Sequence, residues 1–160
     1  MLFKKILVYV DNSESAVEAA MYSILLAKEN KTKLDVLYVV DTKSVSDLYK
    51  AHIFVDIEKV DYERDLEHDA DKYIRHIKRM ALKKQVEVNT HIVNGNAPVE
   101  VNKYIKDNAI DLLVLPKVSN IRSRREELTS DLDRILRTSK VPVLIVRADE
   151  EIWDKFDEDR

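Results

Sequence analysis

The sequence predicts a doubly wound α/β domain, in which four helices cover an open, mainly parallel sheet of five strands. Short β-branched apolar runs are typical of strands buried on both faces of a parallel sheet. Segments with apolar residues at helical spacing separate these runs along most of the chain. Strands that alternate with helices in this way pair in parallel through right-handed crossovers. At 160 residues, a single domain is expected.

Five segments carry the strand pattern. We place them at residues 3–10, 34–40, 86–92, 111–115 and 141–146. The third alternates apolar with polar residues, which predicts a half-exposed strand and favours an edge position. Residues 41–54 have no clean period and are interpreted as a connection.

The first and third helices have clear start signals. The first begins after Asn12 or Ser13, either of which can cap it, and ends near Asn30. The third follows the turn at Gly95 and has Pro98 in its first turn, where a missing N–H costs little.

The second and fourth helices are predicted from their apolar faces. The second is long and presents an apolar face from Tyr62 to Ala81, opposite a densely charged face. The fourth is capped by Thr129 or Ser130 and carries apolar residues such as Ile135. The acidic segment 148–160 that follows the last strand is interpreted as a tail to a domain spanning residues 1–147.

Composition excludes several function classes. The net charge of −3 predicts no general attraction to nucleic acid. The sequence contains no run of about 18 apolar residues, so a membrane span is not predicted. The N-terminal residues lack a signal-peptide pattern and the chain has no cysteine, so a cytoplasmic location is expected. The histidines at 52, 68, 76 and 91 match no zinc-binding spacing, and no catalytic set of side chains is evident.

Four segments occur in an order that resembles the universal stress protein family. They are the opening KILVYVDNS of residues 5–13, the Gly95-x-x-Pro98 turn, the strand that begins at Asp111, and the closing strand 141–146. The resemblance extends from about residue 2 to residue 147. It implies a three-layer sandwich similar to the adenine-nucleotide hydrolases.

Nucleotide-binding members of that family carry the motif G-x2-G-x9-G-[ST] after the fourth strand. In this chain the three glycine positions hold Pro116, Ser119 and Thr129, and the hydroxyl position holds Ser130. Glycine allows positive φ and a close approach of backbone N–H groups to phosphate, whereas proline has no N–H to donate. The chain therefore resembles the members that lack the motif and do not bind ATP.

The sequence thus predicts a non-enzymatic stress-response or regulatory protein that acts through an unidentified protein partner and has no resident cofactor or metal. A sensor of ATP or AMP is the alternative. By family position its nucleotide site would include Asp11 and Val40, and the arginines at 122, 124 and 125 would replace the missing cradle. Asp11 can equally serve as a cap or in a loop salt bridge. A weak nucleotide hydrolase is the third hypothesis.

The last strand predicts a homodimer. Family members commonly pair through this strand, and residues 141–146 contain no charge that would protect an exposed sheet edge. The alternative is that the tail, which contains Trp153 and Phe156, folds back over the same edge.

Overall fold

A computed structural model describes residues 2–41, 56–117, 131–147 and 150–158. Strands and helices alternate throughout these ranges. In chain order they are β1 (Lys5–Val10), α1 (Glu14–Asn30), β2 (Lys33–Val40), α2 (Asp56–Lys83), β3 (Val88–Asn94), α3 (Ala97–Asp107), β4 (Leu112–Pro116), α4 (Asp131–Thr138), β5 (Val143–Val146) and α5 (Glu150–Glu158). None of the described helices is long and apolar enough to cross a membrane.

The five strands form one sheet in the order β3-β2-β1-β4-β5, and all four strand pairs are parallel. The chain moves outward from β1 to β3, then returns to pair β4 with the other side of β1. This reversal confirms the doubly wound prediction and leaves β3 and β5 at the two edges. The edge position of β3 explains its half-exposed, alternating sequence.

Two apolar layers sandwich the sheet. On one face, side chains such as Val8 and Val36 pack against α1, α2 and α5. On the other face, Leu7 and Leu113 pack against α3 and α4. Both layers are strongly apolar because β1 and β4, at the centre of the sheet, are covered on both sides. The three-layer architecture is therefore as predicted.

The predicted helix starts are found at α1 and α3. The Ser13 hydroxyl accepts a hydrogen bond from the Ala16 N–H at 3.2 Å and caps α1. Asn96 caps α3 in the same way, and Pro98 lies in the first turn. Gly95, which precedes this cap, has φ of +148°, and an added Cβ would lie 3.0 Å from the Glu100 carboxylate. The chain's only glycine thus stands where its freedom is needed.

Some boundaries differ from the sequence prediction. β3 begins at Val88 rather than at residue 86, and β5 begins at Val143 rather than at residue 141. Ser139 and Val141 exchange hydrogen bonds through the serine hydroxyl, so this stretch forms a turn before the strand. Residues 42–54 of the predicted connection 41–54, and the predicted caps Thr129 and Ser130, lie outside the described residues.

The tail adds a fifth helix, α5, to the predicted four. Ile152 and Phe156 are one helical turn apart, and both are almost completely buried in the layer formed by α1 and α2. The i, i+4 spacing of two bulky apolar residues is typical of a helix that packs on a core. In the sequence the segment is nevertheless interpreted as a tail because most of its other residues are acidic.

Candidate functional site

Three of the predicted site residues lie at one edge of the sheet. Asp11 directly follows β1, Val40 ends β2, and Pro116 ends β4. Because β2, β1 and β4 are neighbours and parallel, their carboxyl ends lie side by side. Ligands of open α/β sheets bind at this edge. The other predicted site residues, Ser119, Arg122, Arg124, Arg125, Thr129 and Ser130, lie outside the described residues.

The half-buried Asp11 participates in the turn that starts α1. Its Oδ1 accepts a hydrogen bond from the Ser13 N–H at 2.9 Å. Such a bond stabilises the turn between a strand and a helix. One carboxylate oxygen is therefore engaged by the backbone of this chain.

Three tyrosines outside the predicted site lie within electrostatic reach of Asp11. The rings of Tyr38 and Tyr73 lie 5.8 Å apart, and the Tyr73 hydroxyl donates to the Ser13 carbonyl at 3.3 Å. Tyr9 is buried on the opposite face of the sheet. The positions of Tyr9 and Tyr38 could have been predicted from the sequence, because these residues precede the ends of β1 and β2 by one and two residues, respectively.

The electrostatic environment of this edge is acidic. Burial raises the pKa of Tyr9, Tyr38 and Tyr73, and the negative charge of Asp11 raises each of them further. Burial also raises the pKa of Asp131, at the start of α4, with a smaller contribution from Asp41, while the positive charge of Arg134 acts in the opposite direction. An anion bound here would face these carboxylates. Across the described ranges, no three His, Cys, Asp or Glu side chains are grouped so that they could hold a metal.

A second polar cluster lies at the opposite, amino end of the strands. Asp35 is 1% exposed, and its carboxylate accepts a hydrogen bond from the Tyr104 hydroxyl at 2.6 Å. The Asn89 amide donates to it at 3.3 Å, and the Lys5 ammonium lies 3.5 Å away. Burial and the bond to Asp35 raise the pKa of the Tyr104 hydroxyl. This buried carboxylate has partners from β1, β3 and α3, so it links three elements rather than forming an open site.

The fold and the position of these polar residues define a class: doubly wound α/β proteins whose ligand position is the carboxyl edge beside β1 and β4. The universal stress protein family model matches residues 2–147. The chain therefore belongs to the universal stress protein family, as its resemblance implied.

Two curated relatives carry the same family name. A universal stress protein of Methanocaldococcus jannaschii is 26% identical over 146 residues, which cover 91% of this chain and 83% of the relative. Universal stress protein YxiE of Bacillus subtilis is 27% identical over 152 residues, covering 91% of this chain and 100% of the relative.

Solved structures share the fold. Universal stress protein UspA from Lactobacillus plantarum has a TM-score of 0.73 at 21% identity, with 92% of this chain and 99% of that chain covered. A universal stress protein in complex with cAMP has a TM-score of 0.66 at 18% identity, with 91% and 98% covered. An Arabidopsis thaliana family protein with AMP bound has a TM-score of 0.66 at 14% identity, with 92% and 94% covered.

Proposed function

We propose that this chain is a non-enzymatic, regulatory universal stress protein that acts through protein contacts and has a degenerate nucleotide site. One observation carries the proposal. Pro116 is buried as the last residue of β4, at the position where the family's phosphate cradle begins. A proline at this position has no N–H to donate to a phosphate, and its φ is restricted to about −65°.

The charge at the carboxyl edge supports the same proposal. Asp11, Asp41 and Asp131 all act to raise the pKa of Tyr9, so three carboxylates lie within electrostatic reach of one hydroxyl. A nucleotide phosphate placed among them would be repelled rather than stabilised. Nucleotide-binding loops normally offer the opposite environment, with N–H groups and the positive end of a helix dipole.

We also propose that the protein is a homodimer that pairs through β5. Leu144 and Ile145 are 36% and 37% exposed on this edge strand. Among the described residues, the acidic tail leaves these two side chains exposed, while its own Ile152 and Phe156 are buried in the layer with α1 and α2. An unpaired apolar edge favours pairing with another strand, and a second copy offers one.

An adenine-nucleotide sensor is the second candidate function. It is favoured by the AMP and cAMP found in two structural neighbours and by the position of Asp11 and Val40 at the carboxyl edge. In this case the arginines at 122, 124 and 125 would supply positive charge for the phosphates.

The two candidates are separated by calorimetric titration of the full chain with ATP, AMP and cAMP. We expect weak or no binding, because Pro116, Ser119 and Thr129 occupy the three glycine positions of the motif and three carboxylates lie at the described edge. A dissociation constant below about 10 μM, equivalent to about 7 kcal/mol, would contradict the proposal, since that free energy requires a working phosphate site.

The same titration is carried out with a variant that has glycine at all three motif positions, Pro116→Gly, Ser119→Gly and Thr129→Gly. Restored glycines should tighten ATP binding at least about tenfold, because they return positive-φ freedom and one N–H to the loop. Equal binding by both proteins would mean that these positions do not cause the weak affinity.

The arginine hypothesis has its own test. If any nucleotide or phosphate binds, simultaneous Arg122→Ala, Arg124→Ala and Arg125→Ala should abolish binding, since each lost charge-assisted hydrogen bond costs about 1.5–3 kcal/mol. The melting temperature should change little. The matched control replaces Arg64, Arg75 and Arg79, three exposed residues of α2, by Ala. Unaltered affinity in the first variant, or equal loss in the control, rules the idea out.

A further inference from the structure

The amino edge of the molecule carries a cleft lined with lysines. Two adjoining cavities of about 530 and 670 Å³ share Lys28 and Gln85 as lining residues. Together the two cavities form the lysine cleft, which is lined by five lysines: Lys28, Lys31, Lys33, Lys83 and Lys84. Among the described residues, two acidic side chains, Glu87 and Asp157, accompany them in the lining. The cleft is thus strongly basic in a chain whose net charge is −3.

The acidic helix α5 reaches this cleft with its C-terminal end. Phe156 and Asp157 line the larger cavity, and the Lys84 ammonium lies 4.7 Å from the centre of the Phe156 ring. Five acidic residues and one lysine occur in the sequence of α5. The charges of the helix and the cleft are therefore complementary.

The rest of α5 lies in an apolar groove along α1, within the layer that also contains side chains of α2. Ile152 and Phe156 are 2% and 4% exposed there, and the Trp153 indole N–H donates to the Glu18 carboxylate at 3.3 Å. This is the arrangement by which one protein binds an amphipathic helix of another, with apolar residues at i and i+4 as anchors. Helix α5 also lies beyond residues 2–147, which the family model matches.

The short length of α5 and an unsatisfied carboxylate oxygen beneath it indicate that this helix can be displaced. The helix has nine residues, and an isolated helix of two to three turns is marginal in water. Glu18 is 8% exposed, yet its second carboxylate oxygen has no hydrogen-bond partner among the described residues. A buried acceptor without a donor is unfavourable, so the groove offers a contact that α5 does not use.

We propose that the groove and the lysine cleft together form a docking surface for an acidic amphipathic helix of a partner protein, and that α5 is its intramolecular competitor. The partner helix has apolar anchors at i and i+4 and carries arginine where Trp153 lies, so that the guanidinium donates to both Glu18 oxygens. Acidic residues beyond its C-terminal anchor extend along the lysines that α5 leaves exposed, chiefly Lys31 and Lys33. The proposal deepens the proposed role in protein contacts by naming the partner's chemistry.

The test uses a synthetic peptide and the full chain. The peptide carries residues 150–158 with Trp153→Arg, followed by four glutamates, and is labelled for fluorescence anisotropy. We expect a dissociation constant on the order of 10–100 μM that weakens as salt is added. Trp153 is the chain's only tryptophan, so displacement of α5 should shift the protein's own tryptophan emission to longer wavelength.

Matched controls separate specific docking from charge attraction. A peptide of the same composition in scrambled order lacks the i, i+4 anchors and should bind at least about tenfold more weakly. The paired changes Lys31→Gln and Lys33→Gln should weaken binding by a similar factor. Lys103→Gln and Lys106→Gln, two exposed lysines of α3 on the other side of the sheet, should not change it.

Competition by α5 is tested with Phe156→Ala, which removes one anchor of the intramolecular helix. The peptide should then bind roughly tenfold more tightly, provided that circular dichroism shows a folded variant. No displacement of Trp153 by millimolar peptide, equal binding of the scrambled peptide, or unchanged affinity in folded Phe156→Ala would each overturn the proposal. The cleft is at the opposite edge from Asp11 and does not include β5, so such failure leaves the nucleotide and dimer tests unaffected.

Discussion

Ile145→Lys is expected to convert the proposed dimer into a folded monomer. Val143 and Ile145 alternate onto the same face of β5, but Val143 packs against the α3–α4 layer, whereas Ile145 is 37% exposed. In a two-fold dimer the substitution occurs twice. Lost apolar contact and a desolvated ammonium cost about 2 kcal/mol per subunit, which weakens the dimer roughly 1000-fold.

Sedimentation velocity at several protein concentrations measures this effect. Leu82→Lys is the matched control, because Leu82 is an exposed leucine at the end of α2, which packs on β2 and β3 at the far side of the sheet from β5. This variant should sediment like the unmodified protein. If the unmodified protein is already a monomer at high micromolar concentration, the dimer proposal is wrong.

Asp35→Ala is expected to lower the free energy of unfolding by about 3 kcal/mol, because it leaves donors from three elements without their common acceptor. The Tyr104 hydroxyl loses a 2.6 Å hydrogen bond, and Asn89 loses one of 3.3 Å. The Lys5 side chain is 25% exposed, so water compensates that contact in part. Urea unfolding followed by circular dichroism measures the loss.

Two further variants identify the source of this effect. Tyr104→Phe removes a single donor to the carboxylate and should cost about 1.5–2 kcal/mol. Asp107→Ala alters an exposed carboxylate near the end of the same helix and should stay within about 0.5 kcal/mol of the unmodified protein. A loss below about 1 kcal/mol for Asp35→Ala would contradict the view that the buried network holds these strands and α3 together.

Strand and helix identity could be predicted because the signals are local. The apolar runs of β1, β2 and β4 each span a whole strand, and the Ser13 cap and the Gly95–Pro98 turn act within a few residues. The ordered set of these segments also identified the family, which the family model matches over residues 2–147. The missing backbone N–H and the restricted φ of Pro116 likewise follow from the residue type alone.

Side-chain partners across the sheet could not be predicted in this way. Asp35 is a charged residue in a strand, and sequence alone does not reveal that Tyr104, 69 residues away, donates to it. The tyrosines around Asp11 come from β1, β2 and α2 and converge only after the sheet is assembled. The apolar spacing of Ile152 and Phe156 is visible in the sequence, but the apolar layer that buries them is assembled from side chains of the sheet, α1 and α2. The elements and the family thus follow from the amino-acid order alone, because their signals lie within a few neighbouring residues. Which polar and apolar side chains contact one another becomes visible in the assembled fold, because those contacts depend on how distant segments pack.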